Sequence, residues 1–521
     1  MIQSYVWIIL PLDMKSPLFS ILLCGLVAGG CTGTTVNECS NTLSNEEVAV
    51  FTSSDKVLQK AYEWAKKTAL SYSHSDLDPV GFWYEAALPK REAFCMRNVS
   101  HQSVGAQILG LQPHNKNMFS LFAKNISEAK DWCSYWEINR YNVPVPADYL
   151  NDKEFWYNLN ANPDMLQACM KMYDWTGDDD YISSPTFTNF YKRSTNEYIK
   201  RWDLSPDKIM DRDSYMNISV DFDENNNFHA CRGLPSYVED LPGIKVGVDL
   251  IAALYGGFEA YSRFAGLRKE TSDSVYAKMI AERYRDILEN EWWDNTQEHY
   301  RTLFTKEGKF IRGEGVPYIL WFAATENSER IDKIISDINS SEWNVENLSH
   351  FPELFYRYGY CDKAYEYLVS LPTVSRANFP EVSFGVVEGC VCGVMGFLPS
   401  FSDKTVTTQY RIISPDSDSK ITNIKVFDGY MSVCHKGNDF TEISNNTSSD
   451  VMWKASFIGD FDWIKTEDGV FHAVKTHDIK GNHISYADIR LPANKSIKAF
   501  ALKGESDIAG NPLAMCLGSL P

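Results

Sequence analysis

The chain carries no block of lysines or arginines. Its 50 basic residues stand against 69 acidic ones, a formal net charge of −19, and without a basic face it excludes nucleic acid as a partner. Cys-x-x-Cys pairs are also missing, although there are 12 cysteines. Neither a zinc site nor a compact disulfide framework is therefore indicated. The ten cysteines beyond Cys24 and Cys31 read as buried thiols that pack like small hydrophobes. Cys390 and Cys392 lie too close together in a helix-like run to bridge each other. Nothing in the composition implies a metal or an organic cofactor.

A short apolar stretch from Ser16 to Gly30, preceded by Met14-Lys15, has the charged start and length of a secretion signal and is too short to span a membrane. Either Met1 or Met14 starts the chain. The stretch ends in Leu26-Val27-Ala28-Gly29-Gly30-Cys31, which resembles a bacterial lipobox with Cys31 as the lipidated residue. Diacylglycerol plus an acyl chain buries enough CH₂ groups for stable anchoring. No acidic run follows Cys31, which favours the periplasmic face of a Gram-negative outer membrane over the cell surface. A linker over 32–44 follows.

At 521 residues the chain exceeds one ordinary core, so two folding units are expected. From 45 to 398 apolar residues recur at three- and four-residue spacing, predicting helices at 45–72, 99–111, 116–133, 163–175, 185–202, 246–266, 272–293, 314–325, 328–340, 345–358, 360–370 and 382–397. They group as six pairs. The second member of most pairs is apolar all round and therefore buried on most sides. From 399 to 521 short alternating or β-branched runs, broken by Asp, Asn, Gly and Pro, predict a β-sandwich-like accessory domain.

The loops before the second members hold the chemistry. The segment from Phe82 to Gln102 places Trp83, Glu85, Arg91, Glu92, Arg97, Asn98 and His101 together just before a helix. Aromatic faces stack on sugar C–H surfaces while carboxylates, guanidinium groups and amides bond hydroxyls. An aromatic content of 13% agrees with carbohydrate contact, though helical cores also use such residues. Later loops contribute Trp156, Tyr157 and Asn162, then Asp211-Arg212-Asp213 and Tyr237-Val238-Glu239-Asp240, then Arg312 and Glu314, then His350 and Glu353, and finally Glu381. Each has a structural alternative: first-turn carboxylates complement a helix dipole, and His101 in an apolar helix reads equally as a satisfied core histidine.

Six helical hairpins followed by a small β-domain, with the phrases Tyr84-Glu85-Ala86-Ala87-Leu88-Pro89, Arg91-Glu92-Ala93-Phe94-Cys95 and Phe379-Pro380-Glu381-Val382-Ser383-Phe384, resemble the six-hairpin glycosidase group. Within it the chain is similar to exo-acting enzymes of gut polysaccharide degraders, including bacterial β-glucuronidases. The resemblance implies a mainly α fold with an (α/α)6 toroid and hydrolysis of oligosaccharides by two carboxylates in an inverting mechanism. By position, as in glucoamylase, it implies an acid among Asp211, Asp213 and Glu239 and a base at Glu381. Glu314 is a further catalytic candidate. No Trp-x-Arg-Asp phrase matches, so the acid stays open. Lys90, Arg91, Arg97 and Arg312 suit a uronic-acid substrate. An α-L-rhamnosidase or unsaturated glucuronyl hydrolase on the same toroid is the alternative within the class, and a non-catalytic glycan-binding lipoprotein the alternative outside it.

The anchoring expectation is tested by feeding cells a palmitate analogue. Cys31→Ser should lose both the label and membrane-fraction localisation, and equal labelling of the variant would refute the lipobox.

Overall fold

The computed structural model describes residues 48–213, 231–239, 241–412, 414 and 416–504. The signal segment with Cys31, the linker at 32–44, and Asp240 lie outside them. Among the described residues no helix is long and apolar enough to cross a membrane.

Among the described residues, and leaving aside the short helical segments Asp180–Ser183 and Glu197–Arg201, twelve helices succeed one another. They are α1 (Lys56–Ser71), α2 (Met96–Ile108), α3 (Gln112–Lys124), α4 (Ala161–Thr176), α5 (Pro185–Thr195), α6 (Val248–Leu267), α7 (Thr271–Ile287), α8 (Pro317–Trp321), α9 (Ser328–Asn339), α10 (Val345–Arg357), α11 (Cys361–Ser370) and α12 (Pro380–Glu388). The even-numbered helices lie inside. Helix α2 packs on α4, α4 on α6, α6 on α8, α8 on α10, α10 on α12, and α12 returns to α2. The sequence explains the division: α6 is apolar nearly all round and buries most of its length, whereas α9 buries one stripe, Ile331, Ile334, Ile335 and Ile338.

Inner helices touch through glycine. A Cβ on Gly105 of α2 would lie 2.4 Å from the Phe384 carbonyl oxygen of α12, and one on Gly385 would lie 2.3 Å from that of Ser349 in α10.

Several predicted limits need correction, each for a local reason. The first helix begins only at Lys56, because the Asp55 carboxylate accepts from the Val57 and Leu58 N–H groups and caps it, and β1 (Val50–Ser53) precedes it. The helix predicted over 116–133 ends at Lys124, and Asp131 and Trp132 take left-handed backbone. That over 185–202 breaks at Asn196. The one over 314–325 shrinks to α8, since Gly315 at φ 107° cannot continue a helix. Two inner or outer helices end in wider π turns, Leu288–Trp292 after α7 and Gly389–Val394 after α12.

Short strand pairs stiffen the loops at the starts of α2 and α4: β2 (Ala93–Cys95) with β3 (Glu137–Asn139), and β4 (Tyr157–Asn158) with β5 (Arg232–Leu234). The C-terminal region is β-rich, as expected. It comprises β6 (Leu398–Ser400), β7 (Thr405–Gln409), β8 (Asp418–Val426), β9 (Gly429–Lys436), β10 (Phe440–Asn446), β11 (Val451–Ile458), β12 (Trp463–Lys465), β13 (Val470–His472), β14 (Val474–His477), β15 (His483–Leu491) and β16 (Lys495–Leu502). One sheet runs β1-β8-β9-β10-β16-β12-β13 and the other β6-β7-β11-β15-β14. Burial alternates along β9, the mark of a sheet with one packed face. Strand β1 joins this region from the far end of the described chain, pairing Val50 with Thr422 through Ser53 with Ser419.

The close approach at Gly105 makes a measurable demand. Gly105→Ala should destabilise the protein by about 1–3 kcal/mol in urea unfolding, as overpacking does, with an unchanged denaturant slope.

Candidate active site

The starts of the inner helices and the loops before them enclose a cleft of about 370 Å³. Arg97, in the first turn of α2, lies at its centre. Its guanidinium stands 2.8 Å from Glu346 Oε1, on α10, and 3.3 Å from Glu239 Oε1. The Trp136 and Tyr237 rings flank it at 5.6 and 5.2 Å. Burial alone would lower its pKa, but Glu346 and then Glu239 hold it well above the usual value. Arg97 is thus a permanent cation.

The loop carrying Glu239 is pinned from below. Asp249, buried at the start of α6, accepts from Ser236 Oγ at 2.9 Å, the Tyr237 N–H at 2.6 Å and Asn160 Nδ2 at 3.0 Å. The Tyr237 hydroxyl donates to Asp164 Oδ2 at 2.8 Å, and His101 Nε2 meets the same oxygen at 2.7 Å. Glu239 then receives Asn158 Nδ2 at 2.7 Å. Burial pushes its pKa up to about 7, against the pull of Arg97.

Glu381, in the first turn of α12, is 2% exposed. Neither carboxyl oxygen has a well-formed hydrogen bond from the protein, although the Asn98 side chain lies beside it in the same cleft. Burial, followed by nearby Glu346, pushes its pKa up to about 8. A carboxyl with no cation of its own keeps its proton at neutral pH. Against the opposite wall Arg91 faces Glu137 at 3.3 Å and Asp148 at 3.5 Å. Burial, then Asp148, holds Glu137 well above the usual carboxylate range.

Of the sequence candidates, Glu239, Glu314, Glu381, Arg91, Arg97, Asn98 and Trp156 line this cleft. Glu314 is at the rim, exposed, with Asn344 Nδ2 at 3.4 Å. The others lie elsewhere. Asp213 and Asp211 are exposed outside the cleft, while Arg212 between them is buried on the Trp202 and Lys245 carbonyls. Trp83 is core, its indole N–H donating to Asp78 at 2.7 Å and its ring stacked on His74. Glu85 faces His74 at 3.7 Å, Glu92 pairs with Arg140, and Arg312 pairs with Asp337 at 3.1 Å on the surface. Tyr157 and Asn162 bond each other at 2.6 Å behind the wall.

His101 and His350 are buried outside the cleft lining, each packed on Trp321 with ring centroids 4.9 and 4.7 Å away. Burial, then His101, keeps the His350 pKa well below its ordinary value, so its ring is neutral. Glu353 is inside α10, paired to Arg357.

Sequence reasoning missed Trp136, Glu137, Asp148, Glu346 and Arg376, all of which line the cleft. Glu346 had a usable signal: two residues after Asn344, whose side chain caps α10, it is a first-turn carboxylate at an inner-helix start. Among the described residues no cluster of three or more His, Cys, Asp or Glu side chains is arranged to hold a metal ion.

No protein-family model matches the chain, and no curated protein matches it in sequence. Solved structures do. The α-L-rhamnosidase of Dictyoglumus thermophilum superimposes with a TM-score of 0.59 at 13% identity, over 88% of this chain and 50% of that one. The shared feature is the fold. The α-L-rhamnosidase of Aspergillus terreus gives 0.53 at 9% identity over 88% and 50%, and the rhamnosidase of Bacillus sp. GL1 gives 0.52 at 10% over 76% and 40%. The chain therefore spans half or less of the length of these enzymes.

The raised pKa of Glu381 has a signed consequence for stability. Folding binds its proton more tightly than the unfolded chain does, so its stabilising contribution is complete below pH 4.5 and lost as pH rises through about 8. Glu381→Gln should match wild type in urea near pH 4.5 and surpass it at pH 8. A difference that stays constant across this window would contradict a proton held on Glu381.

Proposed function

We propose that the protein is an exo-acting glycoside hydrolase built on an (α/α)6 toroid. The closed succession of inner helices and the likeness to solved rhamnosidases support the fold. The observation that carries the chemistry is the contrast between Glu381, buried and without a cation of its own, and Glu239, held by Asn158 and Arg97. Hydrolysis needs one protonated carboxyl beside the leaving oxygen and one ionised carboxylate for water. Position within the toroid gave Glu381 the role of base. Its retained proton favours the role of general acid, with Glu239 as the base, poised near neutrality where such a group works best.

A cleft of about 370 Å³ is near the lower end of the roughly 300–1,000 Å³ range for ligand sites, which suits terminal sugars more than a long chain. Trp136, Trp156 and Tyr237 offer stacking surfaces. Six carboxylates line the cleft against three arginines, Arg91, Arg97 and Arg376. Arg91 and Arg97 each face two carboxylates already, and Lys90 and Arg312 are not in the lining. This balance favours a neutral sugar such as an α-L-rhamnoside over a uronide, whose carboxylate would depend on Arg376. Lipid anchoring through Cys31 at the periplasmic face completes the proposal.

Aryl α-L-rhamnoside, β-D-glucoside and β-D-glucuronide test it together. The kcat/KM for the cleaved substrate should peak between about pH 7 and 8, falling on the acid side as Glu239 gains its proton and on the alkaline side as Glu381 loses its own. Glu381→Gln should lower kcat by about 10²–10⁴-fold and remove the alkaline limb. Proton NMR should show inversion in the first sugar released. Binding without turnover of any glycoside would instead identify a glycan-binding protein, and preferential cleavage of the glucuronide would restore the acidic substrate.

A further inference from the structure

A second cavity, of about 220 Å³, lies at the other end of the inner helices. The C-terminal halves of α4 and α10, the end of α12 and strand β6 form it. Three basic and three acidic side chains line it, Lys171, Arg357 and Arg411 against Asp174, Glu353 and Glu388.

Most of these charges are already engaged. Arg357 holds Glu353 through two bonds of 2.9 and 2.6 Å. Arg411 donates to the Cys392 and Gly393 carbonyls at 3.0 and 2.7 Å, and Asp174 accepts from Arg263 at 2.8 Å. Lys171 and Glu388 are left. The Lys171 ammonium lies over the Trp321 ring at 4.2 Å and hydrogen-bonds to no described protein group. Glu388 is 6% exposed and likewise has no described hydrogen-bond partner, and no ion pair within 4.0 Å.

A half-buried ammonium and a buried carboxyl facing one space without touching suit a bridging molecule that accepts from one and donates to the other. Hydroxyl groups do both. Trp175, Leu398 and Pro399 add an apolar wall, and 41% exposure of Leu398 places it at an entrance. A volume below the roughly 300–1,000 Å³ of drug-sized sites suits one ring.

We infer that this chamber is a second binding site, distinct from the cleft, for a neutral polyhydroxylated molecule the size of a monosaccharide, held between Lys171 and Glu388. The electrostatics agree: burial, and then Glu353, raises the Glu388 pKa, while burial, and then Arg357, lowers that of Lys171. The protein alone leaves both groups undercompensated. The inference does not depend on the hydrolase reading, since it concerns other residues and requires no turnover.

Crystals of the full chain soaked in millimolar L-rhamnose, D-glucose or D-glucuronate, together with ligand-observed NMR titrations of the same sugars, test it. A neutral sugar should occupy the chamber within hydrogen-bond distance of Lys171 Nζ and the Glu388 carboxyl. That binding should persist in Glu381→Gln and weaken about tenfold, the equivalent of one hydrogen bond, in Glu388→Gln and in Lys171→Met. Circular dichroism would confirm that the variants fold, and the near-isosteric glutamine keeps the test valid if the methionine variant does not. Water alone in the soaked chamber, occupancy by D-glucuronate only, or unchanged affinity in Glu388→Gln would overturn the proposal.

Discussion

The bridge from Arg97 to Glu239 and Glu346 organises the cleft. A cation in the first turn of a helix opposes the helix dipole, at a cost of about 0.3–1 kcal/mol. Here that cost is overcome, because three carboxylates converge where water is scarce. Two unit charges 4 Å apart interact by about 4 kcal/mol at an effective dielectric constant of 20, and the guanidinium between Glu239 and Glu346 offsets the repulsion that bringing the two carboxylates together creates. With Arg97 committed to these two, Glu381 has no cation of its own and keeps its proton. The division of labour between the carboxyl groups thus follows from how many cations the cleft holds.

The helices were legible wherever apolar residues recur round the whole cylinder, as in α6, because no other element buries every side at a 3.6-residue period. Their limits were less so. Asp55 caps α1 through its own carboxylate, the π turn after α7 changes the period with no glycine or proline to mark it, and the one after α12 does so at Gly389 inside a run whose apolar pattern continues unbroken. Glu239, Glu381, Arg97, Asn98 and Trp156 were found through the loops that precede inner helices. Glu137 and Asp148 were not, because Glu137 meets Arg91 only when β3 pairs with β2, and Asp148 meets it from the loop beyond β3. Aromatic content misled for Trp83 and Tyr157. Both are wholly buried, with their polar atoms satisfied by Asp78 and Asn162, and composition alone cannot separate a stacking wall from a core.

Trp321 is shared by two environments. On one side it packs on the buried His101 and His350, and on another it meets the ammonium of Lys171 in the second chamber. Asp164 likewise joins His101 to Tyr237, whose ring touches Arg97. A continuous run of packed rings and hydrogen bonds therefore extends along the helices from one cavity to the other. In that run Trp321 is the side chain that touches both His101 and Lys171.

Strand β1 places a condition on how the chain is made. Ser53 bonds to Asp418 across 365 residues, so the edge of the large sheet cannot close until nearly the whole protein has left the ribosome. At about 5–20 residues per second, the early strand waits roughly 20–70 s for its partner. During that interval Val50, Phe51 and Thr52 form an unpaired, β-branched and aromatic edge. Synthesis therefore leaves this segment without its partner strand until residues 419–422 have been made.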